Sequence, residues 1–243
     1  MNQKIILNNI TVRYKIPSER IGTFKEYIIK SIRRQIHHRP FYALKNISLE
    51  IMEGESFGVI GHNGAGKSTM LKLIARVLAP SLGRIEVRGK VSPLLEIGAG
   101  FHPELTGREN IFLNGALLGF SRREMDQKLN SIVEFSELNN FIDAPMRTYS
   151  SGMWARLGFA VATDSQPDIL LVDEVLAVGD EQFQQKCFAR IEKFRENGTT
   201  IVIVAHGMKT IESNCTRVCW IDHGEIKYLG APEQAIQEYR SSN

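Results

Sequence analysis

Gly61-His62-Asn63-Gly64-Ala65-Gly66-Lys67-Ser68-Thr69 fits the pattern G-x-x-x-x-G-K-[ST]. Its chemistry is anion binding. Glycines let the backbone curl around phosphates without Cβ clashes, and free N–H groups at the start of a helix, with the helix dipole, favour negative charge. Lys67 can reach the β- and γ-phosphates of a nucleoside triphosphate, and the Ser68 hydroxyl can ligate Mg²⁺. A second group lies at Asp173-Glu174, where the apolar run Ile169-Leu170-Leu171-Val172 ends in two adjacent carboxylates. Asp173 has the context of the carboxylate that holds Mg²⁺. Glu174, one residue on, is placed to act as general base toward an attacking water. A third is Tyr149-Ser150-Ser151-Gly152-Met153, a Ser-Ser-Gly turn opening a helix, whose hydroxyls and free amides suit another phosphate contact. His206 stands at the end of the buried strand pattern Thr199–Ala205.

These groups need a scaffold, and the residues around them predict one. Phe57–Ile60 reads as a short buried strand before the glycine loop. Lys67–Leu78 reads as a helix after it, with Met70, Leu71, Ile74 and Leu78 on one side. Ile5–Tyr14 and Phe41–Ile51 read as strands near the N-terminus, and Ile85–Val91 as another. Thr106–Glu109 and Ser121–Glu124 are capping boxes, predicting helices to about Leu118 and Phe135. Residues 98–165 are thus mostly helical inside a mixed α/β frame. Phe183–Asn197 reads as a helix stopped by Gly198. Val218–Ile221 and Ile226–Leu229 read as a hairpin about Asp222-His223-Gly224, and a last helix starts at Pro232. Strand ends in open α/β sheets are where ligands bind, so Asp173 and Glu174 belong at the same edge as the glycine loop.

The composition is that of a globular chain: 243 residues, 43% hydrophobic and 23% charged. No run approaches the roughly 20 apolar residues of a membrane span, and Met1–Asn9 has no small-residue cleavage site. Cys187, Cys215 and Cys219 form no metal-ligand pattern and suit reduced, structural thiols. The net charge of +3 is unevenly spread: residues 15–40 hold seven basic and two acidic residues, or +5, leaving the remainder at −2. In that insert Ile21, Phe24, Ile28, Ile32 and Ile36 recur at helical steps. An apolar stripe with a basic surround fits a helix at a membrane surface or a membrane protein's cytoplasmic face. It equally fits a surface helix packed on its own domain. A nucleic-acid arm is the weaker third reading, because stacking aromatics are few.

The order of phosphate loop, helical stretch, Ser-Ser-Gly helix, Asp-Glu strand and strand-end His resembles the nucleotide-binding subunit of an ABC transporter over essentially the whole chain. The resemblance implies an α/β phosphate-loop NTPase cassette: a mixed sheet core, N-terminal antiparallel strands and an inserted α-helical subdomain at 98–165. It implies one ABC ATPase domain over 1–243, without a C-terminal carbohydrate-binding domain. ATP and Mg²⁺ are the implied ligands, with Gly61, His62, Asn63, Gly64, Ala65, Gly66, Lys67, Ser68 and Thr69 holding phosphate, Ser68 and Asp173 the metal, and Lys67, Glu174 and His206 acting in hydrolysis. Ser150, Ser151 and Gly152 match the family signature, although Tyr149, Ser151 and Met153 replace its Leu, Gly and Gln. In the family, one subunit's signature faces the γ-phosphate held by another, so a head-to-tail homodimer is implied, with Ala177–Asp180 as its contact loop. Gly207 follows His206 where an acidic or polar residue is usual. Glu96 stands nearest the Gln that usually opens the loop coupling to the membrane subunit. Tyr14 matches the aromatic that stacks on adenine, with Phe41 and Tyr42 as rivals.

The insert, the Glu-Ile-Gly-Ala-Gly-Phe loop at 96–101, Tyr-Ser-Ser-Gly-Met and Asp-Glu-Val-Leu-Ala-Val-Gly-Asp resemble bacterial exporters of O-antigen, capsule and teichoic-acid-like glycans. That implies an ATPase powering export of a lipid-linked polysaccharide. It would be peripheral at the cytoplasmic face of the cytoplasmic membrane, beside a separate polytopic permease. It would bind no glycan itself, and no nucleic acid. The alternative is a soluble ABC-type ATPase acting on nucleic acid or ribosomes. The chain has one cassette and no sustained heptad run, which argues against it.

Overall fold

The computed structural model describes residues 2–17, 38–95, 97–173, 179–205 and 207–242. Strand β1 (Gln3–Pro17) pairs antiparallel with β2 (His38–Met52). The pairing runs from Gln3↔Met52 to Pro17↔His38, so Lys15–Pro17 and His38–Pro40 are strand rather than the insert the sequence predicts. The break in the hairpin narrows to residues 18–37. These, and with them the helix expected over Ile21–Ile36, lie outside the described residues.

After β3 (Ser56–Ile60) comes helix α1 (Lys67–Ile74). It ends four residues before the expected Leu78. Arg76 takes a left-handed backbone, φ 60°, and its guanidinium donates to the Val87 carbonyl, a tertiary contact that local periodicity does not encode. The single strand expected over Ile85–Val91 is two. β4 (Leu82–Val87) completes a three-stranded sheet in the order β2-β1-β4, whereas β5 (Val91–Pro93) crosses to the second sheet. Asp168 clasps the crossing: its carboxylate accepts the Lys90 amide at 2.8 Å and the Lys4 ammonium at 3.3 Å.

The second sheet also contains β6 (Ile169–Val172), β7 (Thr200–Val204), β8 (Arg217–Asp222) and β9 (Glu225–Gly230), in the order β5-β6-β7-β3-β8-β9. Every pairing is parallel except β8 with β9. A parallel sheet is covered on both faces, which is why β3, β6 and β7 are unbroken apolar runs rather than alternating ones. Ile169, Leu171, Val202 and Val204 face Met70, Leu71 and Ile74 of α1, which also packs on Ile5, Leu7 and Leu49 of the first sheet. Leu170, Val172, Ile201 and Ile203 face the opposite way. They meet α5 (Glu181–Glu196), α6 (Met208–Asn214) and α7 (Pro232–Ser241) through Phe183, Cys187, Ile211 and Ile236.

Between β5 and β6 run α2 (Gly107–Leu117), α3 (Arg122–Ser136) and α4 (Ser151–Ala162). Both predicted capping boxes are formed, at Thr106/Glu109 and Ser121/Glu124. The three helices share a further core of Ile111, Met125, Ile132, Ile142, Met146 and Leu157.

All three cysteines are buried and unpaired. Burial pushes each thiol up to about 12. The thiolate is the nucleophile, so at neutral pH the native chain is expected to resist alkylation by iodoacetamide. Mass spectrometry should find Cys187, Cys215 and Cys219 modified only after denaturant is added.

Candidate nucleotide site

β3 delivers the glycine loop at its C-terminal end. The loop must pass close to its neighbours: a Cβ at Gly61 (φ +150°) would stand 2.2 Å from the Ile221 carbonyl, and one at Gly66 (φ +116°) 2.5 Å from the Ala43 carbonyl. Gly66 is the N-cap of α1 and brings no side chain to its first-turn amides. Those amides have no partner within the helix, so they are donors for an anion. Gly66→Ala is expected to lower stability by about 1–3 kcal/mol through backbone strain and to abolish nucleotide binding. Denaturant unfolding and titration with a fluorescent ATP analogue check the two effects separately.

Lys67 is 6% exposed. Among its contacts, Nζ donates to the carbonyls of Gly61 at 2.7 Å and His62 at 3.0 Å. These bonds hold the ammonium over the loop. Lys67, Ser68, Thr69, Asn63, Gly64 and Gly66 line a pocket of about 410 Å³, together with Asp173, Tyr14, Phe41 and Ala43. That volume is within the range of small-molecule sites. Ser68 and Asp173 both line this pocket and offer a hydroxyl and a carboxylate, oxygen donors of the type a hard divalent cation takes. Of the three aromatics, Tyr14 and Phe41 are direct cross-strand partners and both line the pocket. Tyr42 pairs with Arg13 and does not line it.

The Ser-Ser-Gly turn is elsewhere. Ser150 caps α4, its Oγ accepting the Met153 amide at 3.2 Å. A Cβ at Gly152 would meet nothing nearer than Ser150 Oγ at 3.8 Å, so the turn faces open space. None of Ser150, Ser151 and Gly152 lines the phosphate-loop pocket. Two of the departures from the family signature have structural work here. Tyr149 donates its hydroxyl to the Phe141 carbonyl at 2.8 Å, and Met153 packs on the core of the three helices. Burial raises the Tyr149 hydroxyl above its ordinary value.

Glu96, Glu174, His206 and residues 174–178 lie outside the described residues. Around them, Asp180 caps α5 by accepting the Phe183 amide at 2.9 Å and pairs with Arg156 of α4. Gly207 is the N-cap of α6 and supplies no side-chain bond, so the seven-residue helix after His206 starts uncapped.

A contact that the sequence reading missed joins the loop after Glu96 to α4. A Cβ at Gly158 would overlap Ile97 (2.6 Å) and the Gly98 amide (2.7 Å), and one at Gly98 would overlap the Trp154 indole (2.4 Å). The loop therefore lies directly on the helix that begins at Ser150. The available signal was Gly158 itself, since glycine inside a helix costs about 1 kcal/mol and implies a close approach.

Two sheets around α1, a glycine loop at the end of β3, an acidic strand end and a separate helical core with a Ser-capped helix define an ATP-binding cassette. The chain belongs to the ABC transporter family, whose pattern it matches over residues 44–177, and so to the ATP-hydrolysing cassettes. It is 44% identical over its whole length to an O-antigen export system ATP-binding protein of Klebsiella pneumoniae, spanning 99% of that protein. It is 41% identical over 98% of its length to a teichoic acids export ATP-binding protein of Shouchella clausii, spanning 66% of it. Among solved structures it resembles a dimeric bacterial ABC transporter cassette at TM-score 0.73 and 25% identity, covering 94% of this chain and 98% of that one. No helix among the described residues is long and apolar enough to cross a membrane.

Proposed function

We propose that this chain is the ATPase subunit that powers export of a cell-surface polysaccharide, an O-antigen or teichoic-acid-like glycan, through a separate polytopic permease. The observation that carries the reading is the end-to-end similarity to an O-antigen export ATP-binding protein. The chain works as a head-to-tail homodimer at the cytoplasmic face of the membrane. Support comes from the placement of the two phosphate-directed groups: Lys67 lines one pocket while Ser150 caps a helix outside it, so each site takes its loop from one copy and its Ser-Ser-Gly turn from the other.

Within a site, the loop amides and Lys67 hold the β- and γ-phosphates, and Tyr14 with Phe41 gives the base an apolar face. Ser68 and Asp173 would hold Mg²⁺, which supplies charge neutralisation at the phosphates. Glu174 takes the proton of the attacking water as its oxygen bonds to the γ-phosphorus, and ADP leaves. His206 senses the γ-phosphate. Closure follows ATP because the closed dimer binds it better than the open one. A largely apolar cleft of about 210 Å³, lined by Ile97, Gly98, Gly158, Val161, Leu118 and Val77, lies next in the chain to Glu96 and receives the permease. The glycan passes through the permease and does not touch this chain.

The test is a pull-down. Tagged Glu174→Gln chain, with residues 18–37 intact or replaced by a short glycine linker, is mixed with detergent-solubilised native membranes and ATP. A polytopic membrane protein captured by the intact chain is the expected result, with weaker capture after replacement if the basic insert docks there. Capture of nucleic acid or ribosomal protein, with no membrane protein, would overturn the export reading.

A further inference from the structure

The outer side of the phosphate loop carries chemistry that ATP binding does not use. Among the described residues, His62, Asp222 and His223 form a group whose ligand atoms all lie within 4.8 Å of one another. His62 is the second residue of the glycine loop, and Asp222 and His223 stand at the β8–β9 turn. His62 Nδ1 is 2.7 Å from the Asn63 carbonyl, which can only accept, so Nδ1 carries a proton and donates it there. Its Nε2 faces Asp222, with Oδ1 2.8 Å away. Although so close, Nε2 is buried and makes no hydrogen bond, so the carboxylate oxygen sits off the axis a proton would bridge. His223 Nε2 approaches the same Asp222 oxygen at 3.9 Å, and the two imidazoles lie 4.9 Å apart, tilted by 57°. Two imidazoles thus flank a single carboxylate oxygen.

We propose that His62, Asp222 and His223 bind a divalent transition-metal ion of the zinc class, with water completing the shell. Two imidazoles and a carboxylate suit zinc, cobalt, nickel or copper, whereas magnesium prefers an all-oxygen shell. Tetrahedral coordination with Zn–N bonds near 2.0–2.1 Å sets ligand atoms roughly 3.3 Å apart. The present spacings reach that by small rotations, chiefly of His223, whose side chain is 78% exposed. The bond from Nδ1 to Asn63 fixes the tautomer that leaves Nε2 to the metal, as an outer-shell partner does. His223 and Gly224 both take positive φ, 48° and 80°, in a two-residue hairpin turn that glycine, asparagine and aspartate suit best. Histidine is tolerated at such a φ, and the turn sets the His223 ring 4.9 Å from that of His62.

The site also has a consequence for the loop. The hairpin already touches it, since Gly224 donates to the Ala65 carbonyl at 2.9 Å. An ion on His62 adds a tie to the residue whose carbonyl accepts Lys67 Nζ, and so restrains the mouth of the phosphate site from outside.

The experiment titrates tag-free full-length chain, stripped with chelator and without nucleotide, with Co²⁺ in excess Mg²⁺. It is compared with His223→Asn, which suits the turn's backbone, and with Asp222→Asn. The parent is expected to bind one equivalent with a tetrahedral visible absorption band. Each variant should lose about tenfold or more in affinity, and hydrogen exchange at residues 61–66 should slow on metal addition in the parent alone. Equal affinity in parent and His223→Asn, or no one-equivalent site in the parent, would overturn the proposal, because ions on other histidines leave the chains alike.

Discussion

Glu174→Gln is expected to bind ATP at least as tightly as the parent and to hydrolyse it about 10²–10⁴-fold more slowly. The amide matches the carboxylate in size and still forms hydrogen bonds, but it cannot take a proton from water. In the proposed site it also removes a negative charge beside the phosphates, so binding is not expected to suffer. The frame supports this placement. β6 is buried along its length between β5 and β7, and it carries Asp173 to the pocket that holds Lys67 and Ser68. Glu174 follows Asp173 directly in the chain. Because ATP persists, the variant accumulates closed dimers, visible as an ATP-dependent shift on gel filtration. Lys67→Ala is the contrast: it removes the ammonium from the loop and should lose binding first. A Glu174→Gln chain that hydrolyses at the parent rate removes Glu174 as the base, and one that no longer binds ATP assigns it a structural role instead.

Much of this frame is legible because its signals are local. The β6 and β7 runs are unbroken apolar stretches, and both capping boxes declare themselves at a fixed spacing. What was not legible depends on partners distant in sequence. Lys15–Pro17 and His38–Pro40 each end in a proline, a poor strand former, so they read as part of the insert. They are strand because each completes the other's ladder. The division of the Ile85–Val91 stretch follows from sheet membership, settled where Asp168 meets Lys90. The early end of α1 depends on Arg76 reaching Val87. In the site, which aromatics line the pocket depends on the register that pairs Tyr14 with Phe41 and Tyr42 with Arg13. Asp222 and His223 read as an ordinary turn, since only the fold brings them to His62.

Ser150→Asp separates the two tasks assigned to Ser150. As an N-cap, aspartate is about as good as serine, whereas Ser150→Ala forfeits about 1 kcal/mol of stability. Ser150→Asp should therefore unfold at the parent temperature and Ser150→Ala slightly below it. In the proposed dimer, however, Ser150 of one copy faces the γ-phosphate held by Lys67 of the other. A carboxylate there meets like charge: two unit charges about 4 Å apart repel by about 4 kcal/mol at an effective dielectric near 20. That is about a thousandfold in affinity, at each of two sites. Ser150→Asp is thus expected to abolish ATP-driven dimerisation and hydrolysis while each monomer still binds ATP, because the turn does not line the phosphate-loop pocket. Ser150→Ala should show the reverse balance, less stable but still closing. The measurements are thermal melting, nucleotide titration of the monomer and sedimentation with ATP in the Glu174→Gln background. Normal closure of Ser150→Asp would sink the head-to-tail assignment, since no arrangement that sets Ser150 against a γ-phosphate tolerates the added charge.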